Sequence, residues 1–149
     1  MTNNIKKCYL DSNILISYKN RDSSFHLKSQ KLIIRLLNNS YKLFISSLVL
    51  DEFLFQTSIY LKKQKQRNVL RKLLESLESI FKLPRLIIIN PSAEKKKHLQ
   101  IIKYMEEYCL RPRDAYHLLI IKENKISHFA TFDEDFKKVF KSKVIKKFV

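Results

Sequence analysis

The sequence has 149 residues, of which 45% are hydrophobic, so it predicts a globular domain with a core of its own and excludes a disordered chain. Thirty Lys and Arg against 14 Asp and Glu give a formal net charge of +16. This charge favours a polyanionic partner such as nucleic acid, although a general enrichment in Lys explains it equally well.

Segments typical of strands and helices alternate along the chain. Apolar runs predict strands near residues 5–10, 41–46, 85–90, 127–131 and 143–148, the third buried on both faces and the last at the sheet edge. Helical spacing of apolar residues predicts helices over 24–38, 46–63, 69–80, 91–110, from Pro112 onward, and over 133–140. This alternation predicts an α/β fold in one domain over 1–149: a three-layer α/β/α sandwich around a mostly parallel central sheet.

The helix predicted over 91–110 has an apolar stripe formed by Leu99, Ile102, Met105 and Cys109. Cys109 and Cys8 lie in apolar segments without metal-ligand spacing, so we expect both to be buried, reduced thiols of a cytoplasmic protein.

The sequence predicts neither a secretion signal nor a membrane span. Asp11 interrupts the apolar segment that follows Lys6 and Lys7, and no apolar run approaches the roughly 20 residues that a membrane helix requires.

Four acidic residues share one feature: each lies just beyond a predicted strand or near the start of a predicted helix. They are Asp11, Glu52, Asp114 and Asp133. In open α/β sheets, ligands bind outside the carboxyl ends of the strands. We therefore expect these carboxylates to gather at one edge of the sheet.

Each acid also has a purely structural interpretation. Asp11 fits a turn after a strand, and Glu52, beside Asp51, fits a solvent-exposed helix position. Asp114 would complement a helix dipole, and Asp133 would cap a helix. These interpretations weaken when the four acids are taken together, because their apolar neighbours aim them at one place.

Clustered carboxylates repel one another, and a divalent cation such as Mg²⁺ or Mn²⁺ removes that cost. A metal held in this way activates water and neutralises charge on a phosphate. An acidic, metal-binding pocket in a basic protein therefore predicts cleavage of nucleic acid.

At these acids the sequence resembles the PIN-domain nucleases. The resemblance lies in YLDSNILI, the acid of LVLDEFL, RDAYHLLI and ATFDEDF, which stand in the family's order and span nearly the whole chain. Small single-domain members of this family include the VapC-type toxins of prokaryotic toxin–antitoxin pairs.

The resemblance implies a divalent-metal-dependent endoribonuclease, the toxin of a toxin–antitoxin pair, whose products carry 5′-phosphate and 3′-hydroxyl ends. Asp11, Glu52 and Asp114 would hold the first Mg²⁺ or Mn²⁺ ion, and Asp133 would complete the catalytic cluster and help a second ion. The resemblance further implies an RNA substrate, a homodimer and inhibition by an antitoxin protein.

Three further residues match supporting positions of the family. Asn13 and Thr131 match polar positions beside the acids, and Asp135 matches a frequent acid in the last motif. His117, one helical turn after Asp114, is compatible with a substrate contact or a proton donor, but a histidine in such a place is more often a core residue.

Three other functions are compatible with parts of the pattern. The first is a PIN-like module that binds RNA or protein without cutting, and the second is an RNA-processing nuclease without an antitoxin. The third is a different α/β phosphotransferase or phosphohydrolase, but the chain has no Gly for a phosphate loop, and Asn13 stands where haloacid-type phosphatases carry a second acid. All four acid positions are filled, which favours an active nuclease.

Overall fold

The computed structural model describes residues 4–149, so the first three residues of the expected 1–149 domain lie outside it. The strands are β1 (Lys7–Leu10), β2 (Lys42–Ile45), β3 (Leu86–Ile88), β4 (His128–Ala130) and β5 (Lys146–Lys147). The helices are α1 (Ser12–Lys19), α2 (His26–Asn38), α3 (Ser47–Lys63), α4 (Val69–Phe81), α5 (Lys95–Tyr108), α6 (Pro112–Glu123) and α7 (Lys137–Lys141), and a 3-10 turn covers Glu134–Phe136.

The five strands form one parallel sheet in the order β3-β2-β1-β4-β5. Because crossovers between parallel strands are right-handed, this order puts α1 to α4 over one face and α5 to α7 over the other, in agreement with the contacts between α1 and α3, α3 and α4, and α5 and α6. This arrangement confirms the predicted α/β sandwich, with a sheet that is wholly parallel. The direction of the strand order reverses at β1 and β4, and such a switch point opens a crevice at the carboxyl ends of the strands.

The core lies on both sides of β1, whose Cys8, Tyr9 and Leu10 are inaccessible to solvent. Helix α6 is also deeply buried, since residues 117–121 are all buried. A helix that is apolar on nearly every side belongs in the interior. Burial of α6 therefore fixes its first turn, which carries Asp114, at the edge of the sheet.

Within residues 4–149, no helix is both long enough and apolar enough to cross a membrane.

Helix α1 was not predicted from the sequence. Asp11 is its N-cap, since Asp11 Oδ1 accepts a hydrogen bond of 2.8 Å from the backbone N–H of Ser12. Its eight residues are too few for a clear helical period, and helices this short depend on packing for stability. Ile14 and Leu15 supply that packing, since both are fully buried.

The prediction that the third strand is buried on both faces is wrong. Among residues 4–149, β3 pairs only with β2 and is therefore an edge strand, and Ile87 and Ile88 are 37% and 47% exposed. The last strand does lie at the opposite edge, as predicted, but it spans only Lys146–Lys147. An apolar run indicates a strand but does not say how many neighbours the strand has.

The predicted stripe of the fifth helix is also wrong. Leu99 and Ile102 are 73% and 66% exposed, and α5 instead buries Ile101, Tyr104 and Tyr108. The helix begins at Lys95, four residues later than predicted.

The expected burial of both cysteines holds for Cys8 only. Cys109 is exposed and ends α5 in a left-handed conformation with φ of 53°. Its position at the helix end, outside the helical stripe, explains its exposure.

Candidate active site

The four predicted acids lie at the carboxyl edge of the sheet, each positioned by a different element. Asp11 directly follows β1, and Asp114 lies in the first turn of α6. Glu52 lies in the second turn of α3, which Ser46 caps by accepting a 3.4 Å hydrogen bond from the Val49 N–H. Asp133 follows β4 after two residues.

An open cavity of about 530 Å³ brings these acids together, and its lining also includes Asp135, Arg111 and Arg113. The side chains that could bind a metal ion form two groups, and within each group the ligand atoms lie within 4.8 Å of one another. The inner group is Asp11, Glu52 and His117; the outer group is Asp114, Asp133 and Asp135.

The carboxylate of Asp11 is held by a network of short polar contacts. Its Oδ2 accepts hydrogen bonds from Thr131 Oγ1 at 2.6 Å and from Asn13 Nδ2 at 3.1 Å. Asn13 Oδ1 in turn accepts a 3.2 Å bond from the backbone N–H of Phe132, which ties α1 to the loop after β4. The structure therefore places Asn13 and Thr131 in direct contact with the buried Asp11.

Burial and neighbouring negative charge perturb two of the acids. Desolvation raises the pKa of Asp11 to about 6, against the effect of the bonds from Thr131 and Ser12. Desolvation and the charges of Asp133 and Asp11 raise the pKa of Asp114 to about 6. A bound cation would favour the ionised forms, and oxygen donors in such a cluster suit Mg²⁺ or Mn²⁺.

The outer group includes an acid that also has a structural role. Asp133 Oδ1 caps the 3-10 turn by accepting a 2.9 Å bond from the Asp135 N–H, and Thr131 Oγ1 accepts a 2.9 Å bond from the Asp133 N–H. The capping interpretation of Asp133 is therefore correct. It is compatible with a site role, because the same side chain lines the cavity.

The structure also shows which of the two adjacent acids, Asp51 and Glu52, belongs to the site. The Glu52 side chain is 29% exposed and belongs to the inner group, whereas the Asp51 side chain is 72% exposed and lies 3.9 Å from Arg113. Helix geometry points these adjacent residues in different directions, and Glu52 is the one that faces Asp11.

No sequence pattern assigned a role to the two arginines of the cavity. Arg113 Nη1 lies 3.8 Å from Glu52, and Arg111 Nη2 lies 3.8 Å from Asp135. The signal was present in RPRDAYHL, where two cations precede the acid at the start of a helix. Their proximity to Glu52 and Asp135 depends on the tertiary structure.

His117 is buried, with 1% of its surface exposed, and burial lowers its pKa to about 4. Its Nδ1 lies 2.8 Å from the Tyr9 hydroxyl, which lies 2.6 Å from Ser46 Oγ. The residue thus occupies the core position that histidines of this kind usually take. It also belongs to the inner group, which sequence reasoning did not predict.

Comparison with known proteins agrees with this architecture. Residues 8–141 match the family model of the PIN domain. The chain is 31% identical over 147 residues to Ribonuclease VapC2 of Methanocaldococcus jannaschii, with 89% of each protein covered.

Two solved structures share the fold. One is VapBC2 from Rickettsia felis bound to a DNA fragment from their promoter, with a TM-score of 0.64, 20% identity and coverage of 96% of this chain and 99% of that one. The other is a toxin–antitoxin complex from Klebsiella pneumoniae, with a TM-score of 0.56, 21% identity and coverage of 87% and 89%. With its parallel sheet and its ordered acids, the chain belongs to the PIN-domain family as a VapC-type member.

Proposed function

We propose that this chain is a divalent-metal-dependent endoribonuclease that hydrolyses RNA phosphodiester bonds and acts as the toxin of a toxin–antitoxin pair. The observation that carries the proposal is the convergence of five carboxylates on one cavity of a chain with a net charge of +16. Family membership and the similarity to a protein named as a ribonuclease support it.

Asp11, Glu52, Asp114 and Asp133 would hold Mg²⁺ or Mn²⁺, with Asp135 beside them in the outer group. A bound ion would supply an activated water and neutralise charge that develops on the phosphate. The donor set fits such an ion, because carboxylate oxygens are its preferred ligands, and burial together with neighbouring negative charge raises the pKa of two of these acids.

The protein's own part is to hold the acids in place before substrate binds. Thr131 and Asn13 donate to one oxygen of Asp11, and the Ser12 N–H donates to the other. Hydrogen bonds of this kind fix the direction of a ligand oxygen and reduce the reorganisation that binding requires.

Arg111 and Arg113 would bind the phosphates that flank the scissile bond. Their side chains are 82% and 52% exposed, and their contacts with the acids are long, at 3.8–3.9 Å. A guanidinium group can pair with two phosphate oxygens at once. Placed at the rim of the acidic cluster, the two guanidinium groups would attract an RNA backbone that the carboxylates alone would repel.

An antitoxin protein and a second copy of the chain complete the proposal. One similar solved structure is a toxin–antitoxin complex. Helix α4 exposes Leu70 and Leu74, which are 82% and 56% accessible, and exposed apolar side chains of this size are suited to a protein partner.

Cleavage of labelled single-stranded RNA by the purified chain tests the function. The reaction is run with Mn²⁺, with Mg²⁺ and with EDTA, beside the Asp11→Asn variant. We expect cleavage that requires both metal and Asp11. RNA binding without cleavage on several RNAs would instead support the non-catalytic module, and cleavage that persists in EDTA would refute the metal-dependent mechanism.

A further inference from the structure

His117 contributes a buried nitrogen to the inner acid group that the proposed reaction does not yet use. One of its ring nitrogens lies within 4.8 Å of carboxylate oxygens of both Asp11 and Glu52. Its Nε2 is buried and has no hydrogen-bond partner among residues 4–149. A buried polar atom without a partner is unfavourable, so the free chain retains this arrangement at a cost in stability.

The other nitrogen is already engaged, which identifies the one available for a ligand. Nδ1 pairs with the Tyr9 hydroxyl at 2.8 Å, and that hydroxyl pairs with Ser46 Oγ at 2.6 Å. When Nδ1–H donates to Tyr9 Oη, and Tyr9 donates to Ser46, Nε2 carries an unshared electron pair. Histidines that bind metals commonly donate their second N–H in this way, which sets the tautomer and the ring orientation.

We propose that Nε2 of His117 is a direct ligand of the ion held by Asp11 and Glu52. The inner position is thus a mixed nitrogen and oxygen site that prefers Mn²⁺ or another first-row transition metal to Mg²⁺. This inference rests on the metal-dependent nuclease proposed above and adds a ligand and a metal preference to it.

The spacing of the inner group suits an ion. Bonds of about 2.1 Å place the ligands of a six-coordinate ion roughly 3 to 4.2 Å apart, so donor atoms within 4.8 Å of one another need only a small adjustment. The cation supplies the partner that Nε2 lacks and separates the two carboxylates from each other.

The outer group provides an internal contrast. Asp114, Asp133 and Asp135 offer only oxygen atoms, and Asp135 is exposed. An all-oxygen, hydrated position suits Mg²⁺, whereas imidazole favours Mn²⁺, Co²⁺ and Zn²⁺ over Mg²⁺. The two groups therefore differ in metal preference, and the difference comes from His117.

Pulsed electron paramagnetic resonance of the wild-type chain with one equivalent of Mn²⁺ is the direct test. We expect hyperfine coupling from a directly bound ¹⁴N, which changes to a ¹⁵N pattern when the histidines alone are ¹⁵N-labelled. Bound Mn²⁺ without this coupling would overturn the inference and leave the acidic metal site intact. No Mn²⁺ binding at all would reject the metal site and the inference with it.

The His117→Gln variant tests the preference by isothermal titration calorimetry. We expect its affinity for Mn²⁺ to fall about tenfold or more and its affinity for Mg²⁺ to change far less. Equal losses for both ions would contradict the proposal.

His98→Gln is the matched control for this variant. Both ring nitrogens of His98 are already paired, Nδ1 with the Tyr116 hydroxyl at 3.0 Å and Nε2 with the Ser92 carbonyl oxygen at 2.7 Å. We expect it to bind both ions like the wild type, and selective Mn²⁺ loss in this control would refute the assignment to His117. Circular dichroism checks the fold of each variant. If His117→Gln does not fold, the electron paramagnetic resonance spectrum of the wild-type chain decides whether His117 binds the ion.

Discussion

Asp11 and Asp114 have similarly raised pKa values, near 6, but different surroundings. Asp11 accepts hydrogen bonds from Ser12, Asn13 and Thr131, which offset part of the cost of its burial. Asp114 owes its shift to burial and to the nearby charges of Asp133 and Asp11. Removing the charge of Asp114 therefore relieves repulsion with little loss of bonding, whereas Asp11→Asn replaces one of two hydrogen-bond-accepting oxygens with a donor.

The Asp114→Asn variant should lose RNA cleavage and gain stability without metal. Relief of desolvation and repulsion should raise its free energy of unfolding in EDTA at pH 7 by on the order of 1 kcal/mol. Urea denaturation measures the gain, and Glu106→Gln, an exposed acid on α5, is the control that should change little. A less stable Asp114→Asn chain would indicate a structural role for this carboxylate.

The raised pKa values also predict how stability and metal binding depend on pH. Between their ordinary value of 3.8 and about 6, Asp11 and Asp114 hold more protons in the folded chain than in the unfolded one. The stability of the metal-free chain should therefore fall as pH rises through this window. Apparent metal affinity should rise over the same window, because binding requires the ionised carboxylates.

Denaturation midpoints in EDTA and calorimetric metal titrations from pH 4 to 8 measure these two trends. In the Asp114→Asn variant, the stability of the metal-free chain should fall less steeply as pH rises, because one of the two titrating carboxylates is gone. A metal affinity that is constant across pH 5 to 7 would contradict the assignment of these acids as ligands.

Several helices end without the glycine that such ends usually contain, because the chain has none. In α3, the Gln66 N–H bonds to the Leu61 carbonyl oxygen and the Lys65 N–H bonds to that of Lys62, which is a Schellman motif. Lys65 holds the left-handed position with φ of 51°. The same conformation at Arg85 and Lys125 shows that long basic residues occupy left-handed positions in this chain, although such a position is unfavourable for them.

Replacing Lys65 with Gly should stabilise the fold. Gly adopts a positive φ without strain, and this gain exceeds the added freedom of the unfolded chain, so we expect about 0.5–1 kcal/mol. Lys62→Gly, in the last turn of the same helix, removes the same charge and should cost up to about 1 kcal/mol. Thermal unfolding compares the two, and equal effects would contradict the conformational explanation.

At the scale of the whole molecule, the charge of +16 predicts that RNA binding depends strongly on salt. Binding of single-stranded RNA to the inactive Asp114→Asn chain, measured between 50 and 300 mM KCl, should give a linear decrease of log affinity with log salt. Each phosphate contact contributes about 0.7 to the slope, so Arg111→Ala with Arg113→Ala should reduce it by roughly 1.4. Arg71→Ala, an exposed residue paired with Glu75 on α4, is the control, and an equal reduction there would refute the role of the cavity arginines.

The sequence alone was enough to predict the layer architecture, because the alternation of strands and helices leaves few ways to bury their apolar faces. It also predicted that Asp11, Glu52, Asp114 and Asp133 would meet, since parallel strands end at a common edge. It did not predict α1, whose eight residues carry too little periodicity, or the exposure of Ile87, which follows from the edge position of β3.

Only the tertiary structure decided how the site is divided and what else belongs to it. Local patterns state which residues are acidic or apolar, but contacts between distant segments depend on how the layers pack. Packing of α6 against β1 brings His117 to Tyr9 and to the inner acids, and it sets Arg113 beside Glu52. The positions of the acids in the chain thus determined that they meet at the edge of the sheet. The packing of the helical layers around the sheet determined which other residues, such as His117 and Arg113, contact them.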